Sequence, residues 1–247
     1  MKPTLHVVNL DQIPILQQLQ WEEALLRADA RNWCILNRGS APAIVMGISG
    51  QVQHLIHQEK LQKAPIPLIR RFSGGGTVIV DEDTLFITLI CQARDLSVSP
   101  FPRPLMQWTA ELYRPLFSSH PFRLEENDYV LGERKWGGNA QSIIKGRWLH
   151  HSSLLWDYKP DFMDYLLMPT KMPIYRQGRS HADFLCSLRD FWPNCELFQT
   201  QLLEELSKHF TLIRKDKEEL KQIADLPHRK VTCLLDILVP LQTYCLG

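Results

Sequence analysis

The chain has 247 residues, enough for one domain with a full core or for a large domain with a small appendage. Its 28 Lys and Arg nearly cancel 27 Asp and Glu, so no global field draws it to nucleic acid or an anionic membrane, and any anion site must be local. The six cysteines (Cys34, Cys91, Cys186, Cys195, Cys233, Cys245) form neither a CxxC pair nor a zinc-type spacing. There is no signal-like N-terminus and no apolar run of ~18 residues, so the sequence predicts a soluble, cytoplasmic protein with reduced thiols and no nucleic-acid or membrane partner.

In chain order, the spacing of Ile13, Leu16, Leu19, Ala24, Leu25 and Leu26 predicts a first helix from Ile13 to Arg27. Trp33 to Asn37 and Ala43 to Gly47 read as two strands paired across a turn at Arg38 to Pro42. Gln51 to Lys63 is polar and helical in pattern. β-type runs then flank Arg70-Arg71-Phe72-Ser73-Gly74-Gly75-Gly76-Thr77, and Thr84 to Ile90 forms another strand. Leu105 to Phe117 reads as a helix, and Asp128 to Lys135 with Ile143 to Trp156 as an antiparallel meander. Helical stretches are expected at 161–167, 182–190, 197–210 and 216–224, followed by an apolar block from Val231 to Pro240.

Three consecutive glycines after two arginines mark a place where backbone approaches a ligand, because only glycine admits positive φ with no side chain in the way. Bare amides make a concavity for anions, and Arg70 or Arg71 can add charge-assisted contacts. The order strand, glycines, strand excludes the P-loop and the dinucleotide loop, both of which open a helix. A glycine-rich hairpin without a ligand remains the plain alternative. Lys135 stands in a strand-like stretch beside Gly137-Gly138, again a charge with open backbone, and its plain alternative is a solvated surface lysine. The two features together suggest a pocket for two anions.

RRFSGGGTVIVD followed by KWGGNAQ resembles the lipoate-protein ligase family, relatives of biotin protein ligase and of the octanoyl and lipoyl transferases; the resemblance runs from about Trp21 to about Leu185. It implies an α/β (α+β) catalytic domain like that of class II aminoacyl-tRNA and biotin synthetases, with a mixed, mainly antiparallel sheet flanked by helices. On this reading residues 1–195 are the catalytic domain. Residues 196–247 are a helical extension packed on it, too short for the accessory domain of familiar bacterial ligases, so a separate accessory subunit is a possible partner. The resemblance also implies ATP with Mg²⁺, and lipoate or octanoate as the acid. The implied acceptors are apo lipoyl domains of 2-oxoacid dehydrogenase E2 subunits and the glycine-cleavage H protein.

Residue by residue, the resemblance gives Lys135 the catalytic role of touching both the acid's carbonyl and the α-phosphate. At an effective dielectric of 20, unit charges ~4 Å apart interact by roughly 4 kcal/mol, enough to offset the repulsion between those two anions. Arg71, Gly75, Gly76, Thr77, Val78 and Ile79 match the nucleotide-binding segment, with Lys135 and Asp128; Asp128 either holds Lys135 or meets a metal. Trp33, Leu36, Met46, Gly47 and His151, with Arg71 and Lys135, are the candidates around the acid, whose tail wants apolar walls. His150-His151 lacks the companions of a metal site.

The sequence departs from relatives with His-Asp-x-x-Asn after the glycine loop, carrying Asp81-Glu82-Asp83-Thr84 there, and Gly47 is followed by Ile48-Ser49-Gly50. The rival function is an octanoyl or lipoyl transferase that carries the acyl group on a cysteine. No cysteine precedes the lysine block closely, and Cys186, far beyond Lys135, reads as a core thiol. A non-catalytic binding module is the third hypothesis, disfavoured by Arg71, the glycines and Lys135 occurring together.

Overall fold

The computed structural model describes residues 1–168 and 172–236. Strand β1 (Thr4–Asp11) leads into helix α1 (Ile15–Ala28), then β2 (Asn32–Arg38) and β3 (Ala43–Met46). Short helices α2 (Val52–Leu55) and α3 (Gln58–Lys63) precede β4 (Leu68–Arg70), β5 (Val78–Val80) and β6 (Thr84–Gln92). Helix α4 (Pro102–Tyr113) is followed by β7 (Phe122–Glu125), β8 (Asp128–Leu131), β9 (Arg134–Lys135), β10 (Gly137–Ile144) and β11 (Arg147–Leu155). The remainder comprises α5 (Pro160–Met163), α6 (His181–Phe184), α7 (Cys195–His209), β12 (Thr211–Arg214), α8 (Lys217–Ala224) and β13 (Cys233–Leu235).

The main sheet has six strands in the order β10-β11-β6-β2-β1-β12. Pairing is antiparallel from β10 to β2 and parallel from β2 through β1 to β12. Central β6 is buried on both faces, and its period-2 alternation splits the core. Leu85, Ile87, Leu89 and Cys91 join Phe117, Trp136, Phe198 and Leu206 on one side, under α4 and α7. On the other side Ile90 meets Leu25 and Leu149 beneath α1, and Phe86 packs with Ile15, Val45 and Val80. The latter two valines belong to a second sheet, β13-β4-β3-β5, and a third, β7-β8-β9, carries the aspartate and lysine singled out above.

Three expectations change. Strands β2 and β3 are not partners: β2 lies between β1 and β6, whereas β3 pairs with β4 and β5. The segment between them is a crossover, pinned where the Ser40 amide donates to Asp81 O (3.1 Å) and Ser40 Oγ accepts from the Ile15 amide (2.9 Å). The stretch after residue 195 is also more than helical. Strand β12 adds to β1 in parallel register, β13 pairs with β4, and Phe198, Leu202 and Leu206 of α7 lie in the main core. The expected helices at 161–167 and 182–190 shrink to single turns, α5 and α6, the latter continued by a 3-10 turn at Leu188–Asp190. Residues 237–240 of the last apolar block, and Cys245, fall outside the described residues. Among the described residues no helix is long and apolar enough to cross a membrane.

Candidate active site

The register of the main sheet builds the floor of a cavity of about 430 Å³. Directly opposed residues share a face. One row across the sheet is Ile35, Thr88, His151, Ala140, and the next is Asn37, Phe86, Ser153, Gly138. Phe86, His151, Ser153, Ala140 and Gly138 line the cavity, Ile15, Val45 and Val80 add apolar wall, and the glycine loop covers it.

Lys135 is held from both sides. Strand β9 pairs it with Val130, and its carbonyl accepts the Cys186 amide at 2.9 Å. The next residue, Trp136, is fully buried among Tyr113, Phe117 and Tyr129, with ring centroids 5.6, 5.1 and 5.5 Å away. Strand alternation therefore turns Lys135 the other way, towards the cavity. Its Nζ lies 2.7 Å from Asp128 Oδ1, and the Tyr175 hydroxyl donates to Asp128 Oδ2 at 2.9 Å. Burial, reinforced by the Asp128 charge, pushes the Tyr175 hydroxyl far above the ordinary phenol range, so it remains a donor.

The glycine loop is shaped by Arg71. Its guanidinium donates to Val45 O (3.3 Å), Gly74 O (3.2 Å) and Gly76 O (2.7 Å), and the Gly74 amide bonds Gln141 O at 3.1 Å. Burial lowers the Arg71 pKa to about 10, which leaves it charged at neutral pH, and the carboxylate of Glu22 acts in the opposite sense. Gly75 has φ +116°, and a Cβ there would sit 2.8 Å from Arg71 Nη2 and 2.9 Å from Asn139 O. A Cβ on Gly47 would come within 2.3 Å of Gly75 O, so Gly47 admits the loop and lines no part of the cavity. The amides of Gly75, Gly76 and Thr77 donate to no group among the described residues, leaving three successive N–H groups of the kind that bind anions.

Beneath the cavity lies a buried polar cluster that the sequence pattern concealed. Glu22, on α1, accepts from Gln18 Nε2 (2.7 Å) and Thr88 Oγ1 (2.7 Å), and both its oxygens lie 3.0 Å from His151 Nδ1. A fully buried carboxylate so surrounded is paired and hydrogen-bonded, the condition for keeping it inside. On the opposite face of β11, His150 contacts Tyr129 OH (3.1 Å) and Gln141 Nε2 (3.0 Å). Burial and then neighbouring His151 depress its pKa to about 3.

A second cavity, of about 390 Å³, adjoins the first and shares Gly76, Thr77, Val78, Asn127, Asp128, Lys135, Gly138 and Ser153 as walls. Ile79, Leu155, Met163, Leu166 and Phe184 make it largely apolar, while Arg176 adds a cation, His181 an imidazole and Glu126 a carboxylate. Lys135 thus stands where the two spaces meet.

The structure brings together Arg71, Gly75, Gly76, Thr77, Val78, Asp128, Lys135 and His151, and places Ile79 in the second cavity. Trp33, Leu36 and Met46 are elsewhere, a correction to the expected acid pocket. Leu36 alternates onto the opposite face of β2, in the main core with Cys34 and Leu5. Trp33 has the right face but the wrong row: it opposes Ile90 and stacks with His6 at 5.0 Å and Arg31 at 4.8 Å. Met46 packs behind the second sheet with Val52 and Ile56. Neither cavity is lined by a cysteine. Cys186 is buried, its thiol donating to Arg134 O at 3.6 Å, and burial lifts its pKa to about 11. Among the described residues no three His, Cys, Asp or Glu side chains converge as metal ligands.

Residues 14–211 match the lipoyl protein ligase A/B catalytic domain. The chain is 29% identical to "Inactive lipoate--protein ligase 2" of Plasmodium falciparum, over 75% of this chain and 63% of that protein. It is 27% identical to lipoate-protein ligase LplJ of Bacillus subtilis, over 74% of this chain and 58% of the relative. The chain therefore spans about three-fifths of the length of these relatives. Among solved structures, it is similar to a bi-partite lipoate protein ligase from Thermoplasma acidophilum, with a TM-score of 0.72 at 18% identity over 91% of each chain. A lipoate-protein ligase A bound with ATP gives 0.70 at 18% identity, over 91% of this chain and 93% of that one. The shared fold is the mixed α/β arrangement described above, sheets flanked by helices.

Proposed function

This chain belongs to the lipoyl protein ligase A/B catalytic-domain family, and from that premise we propose that it activates lipoate or octanoate with ATP and transfers the acyl group to a lysine of an acceptor domain. The observation that carries the proposal is the position of Lys135 where an apolar, floor-closed cavity meets a second, amphiphilic one. Bringing a carboxylate against the α-phosphorus requires both to be held at one point, with their repulsion offset there.

The acid's tail lies along Ile15, Val45, Val80 and Phe86, with its carboxylate at Lys135, and the nucleotide occupies the second cavity. The carboxylate oxygen attacks the α-phosphorus, the bond to the β-phosphate breaks, and pyrophosphate leaves, giving acyl-AMP. The acceptor's ε-amine then attacks the acyl carbon, AMP departs with the bonding electron pair, and the amine loses a proton to become an amide. Lys135 moves from Asp128 to the reacting oxygens as ligands arrive, while Tyr175 keeps Asp128 in place. The amides of Gly75, Gly76 and Thr77 receive phosphate oxygens, and Arg71 fixes the loop's shape.

Mg²⁺ would neutralise charge on the leaving pyrophosphate. Both oxygens of Asp128 are already engaged by Lys135 and Tyr175, so phosphate oxygens would supply most of the ion's ligands, with Asp128 and Glu126 as the carboxylates bordering the cavity. The acceptors in this proposal are apo lipoyl domains of 2-oxoacid dehydrogenase E2 subunits and the glycine-cleavage H protein, with an accessory subunit as a further partner.

A cysteine-borne transfer has no support in the cavities, because Cys186 is buried away from them as a protonated thiol. The test is the mass of an apo lipoyl domain after incubation with chain, lipoate and Mg²⁺, with and without ATP. A lipoyl mass increase that requires ATP is expected. Modification from an acyl-carrier donor without ATP would overturn the proposal, as would binding of acid and nucleotide with no modification, the outcome of a non-catalytic binder.

A further inference from the structure

We propose that Arg176 and His181 form an anion subsite in the second cavity that holds the pyrophosphate portion of the nucleoside triphosphate, a role resting on the ligase reading above.

Arg176 ends a 3-10 turn and is only 4% exposed. Its guanidinium lies on the ring of Phe184, 4.7 Å from the centroid. Nε donates to Arg179 O at 3.0 Å and Nη2 to the sulfur of Met168 at 3.3 Å, while Nη1 donates to no group among the described residues. Neither acceptor is charged. Asp128 attracts it only at longer range, since both its oxygens are committed to Lys135 and Tyr175. A buried guanidinium without a carboxylate is costly to desolvate, and this one borders a cavity instead of a partner.

His181 lines the same cavity. Its pKa is lowered by burial and then by the charges of Arg176 and Lys135, so it stands as a neutral imidazole that can donate one hydrogen bond beside two cations. Nearby Asp164 acts in the opposite sense but is paired with Lys60 at 3.2 Å. An entering phosphate supplies the counter-charge that the Arg176 guanidinium lacks among the described residues. Lys135, at the junction, serves the acyl carboxylate and the α-phosphate, and the charge left over on a triphosphate is that of its two outer phosphates. Planar guanidinium donors suit phosphate oxygens in pairs. His181 also lines an outer surface cleft of mixed charge, with Lys60, Lys63, Glu59 and Asp164, so the subsite lies between the reacting centre and that cleft.

The test uses the whole chain. Inorganic pyrophosphate and, separately, AMP are titrated calorimetrically into the parent chain and into Arg176→Gln, Arg176→Lys and His181→Gln, with melting temperatures recorded for each. Arg176→Gln should weaken pyrophosphate by at least about tenfold, the factor that 1.4 kcal/mol of lost charge-assisted bonding gives, with AMP within about threefold of the parent. Arg176→Lys should recover part of the loss, and the KM for ATP should rise more than kcat falls. If Arg176→Gln does not fold, the other two variants make the same comparison. Unchanged pyrophosphate affinity, no pyrophosphate binding by the parent, or equal losses for pyrophosphate and AMP would overturn the subsite. Absent acyl transfer with Arg176-dependent pyrophosphate binding would overturn the ligase reading instead, so the two failures are distinguishable.

Discussion

The two cavities that meet at Lys135 treat charge in opposite ways. In the first, the ionisable groups are largely satisfied from within: Glu22 by Gln18, Thr88 and His151, and the Nη groups of Arg71 by the carbonyls of Val45, Gly74 and Gly76, with Nε left without a partner among the described residues. The space left over is apolar. In the second, apolar walls and the Glu126 carboxylate surround Arg176 and His181, and neither of these forms an ion pair among the described residues. A closed electrostatic account suits a ligand that is mostly hydrocarbon, and an open one suits a ligand that brings its own negative charge. Lys135, resting on Asp128, is among the described residues the one cation that faces both.

Four substitutions break or sharpen this contrast, in order of expected effect. Lys135→Ala removes the group common to both spaces. Acyl-adenylate formation should fall by about 10²–10³ or more, with some loss of melting temperature because the buried Asp128 keeps only Tyr175 as a partner; a near-normal rate of pyrophosphate release would reject its role. Glu22→Ala opens the closed account by stripping the acceptor from three buried donors. Chemical denaturation should show a loss on the order of 3–5 kcal/mol, with Glu22→Gln milder; a loss under about 1 kcal/mol would show that the network contributes little.

The third concerns pH. His150 is neutral when folded, with a pKa near 3, against an ordinary value of 6.5 in the unfolded chain. The unfolded state therefore binds the extra proton between those values, so this contribution to stability is intact above pH 6.5 and is lost as pH falls towards 3. The expected slope is about 1.4 kcal/mol per pH unit from this group. His150→Gln keeps hydrogen-bonding capacity and should flatten the decline between pH 6 and 4; an unchanged pH profile of unfolding would place the acid sensitivity elsewhere. The smallest effect is expected for Cys186→Ser, whose thiol touches neither cavity. Acceptor modification should stay within about twofold, because a surrounding change of this kind costs little when the fold persists. A dead but folded variant would revive the thioester route.

How much of this was legible in the sequence depends on the range of the signal. Helices α1, α4 and α7 followed from apolar spacing, and the glycine loop and Lys135 from local residue chemistry. Alternation alone reveals a strand but not its partner, so the sequence pairs β2 with β3 although they belong to different sheets, and β12 leaves no pattern because Thr211–Arg214 is short and mostly exposed. Apolar character alone places Leu36 beside the acid, whereas the pleat turns it away, which only the register with β6 reveals. Glu22 sat in the helical pattern as an ordinary charge, and its one local clue was a Glu22-Glu23 pair within a run of apolar residues. Tyr175 and Arg176 had no clue of this kind. Their importance arises because Tyr175 reaches an aspartate 47 positions away and Arg176 enters the adjoining cavity.

The account rests on Lys135 joining an acid to a nucleotide. The most direct measurement is to incubate the chain with saturating lipoate, ATP and Mg²⁺, without acceptor, and to quantify lipoyl-AMP and released pyrophosphate by mass spectrometry. Equal amounts of lipoyl-AMP and pyrophosphate from the parent, and neither from a folded Lys135→Ala, are the predicted result. A parent chain that binds both ligands and yields no lipoyl-AMP, or a Lys135→Ala variant that yields it at the parent rate, would contradict the account.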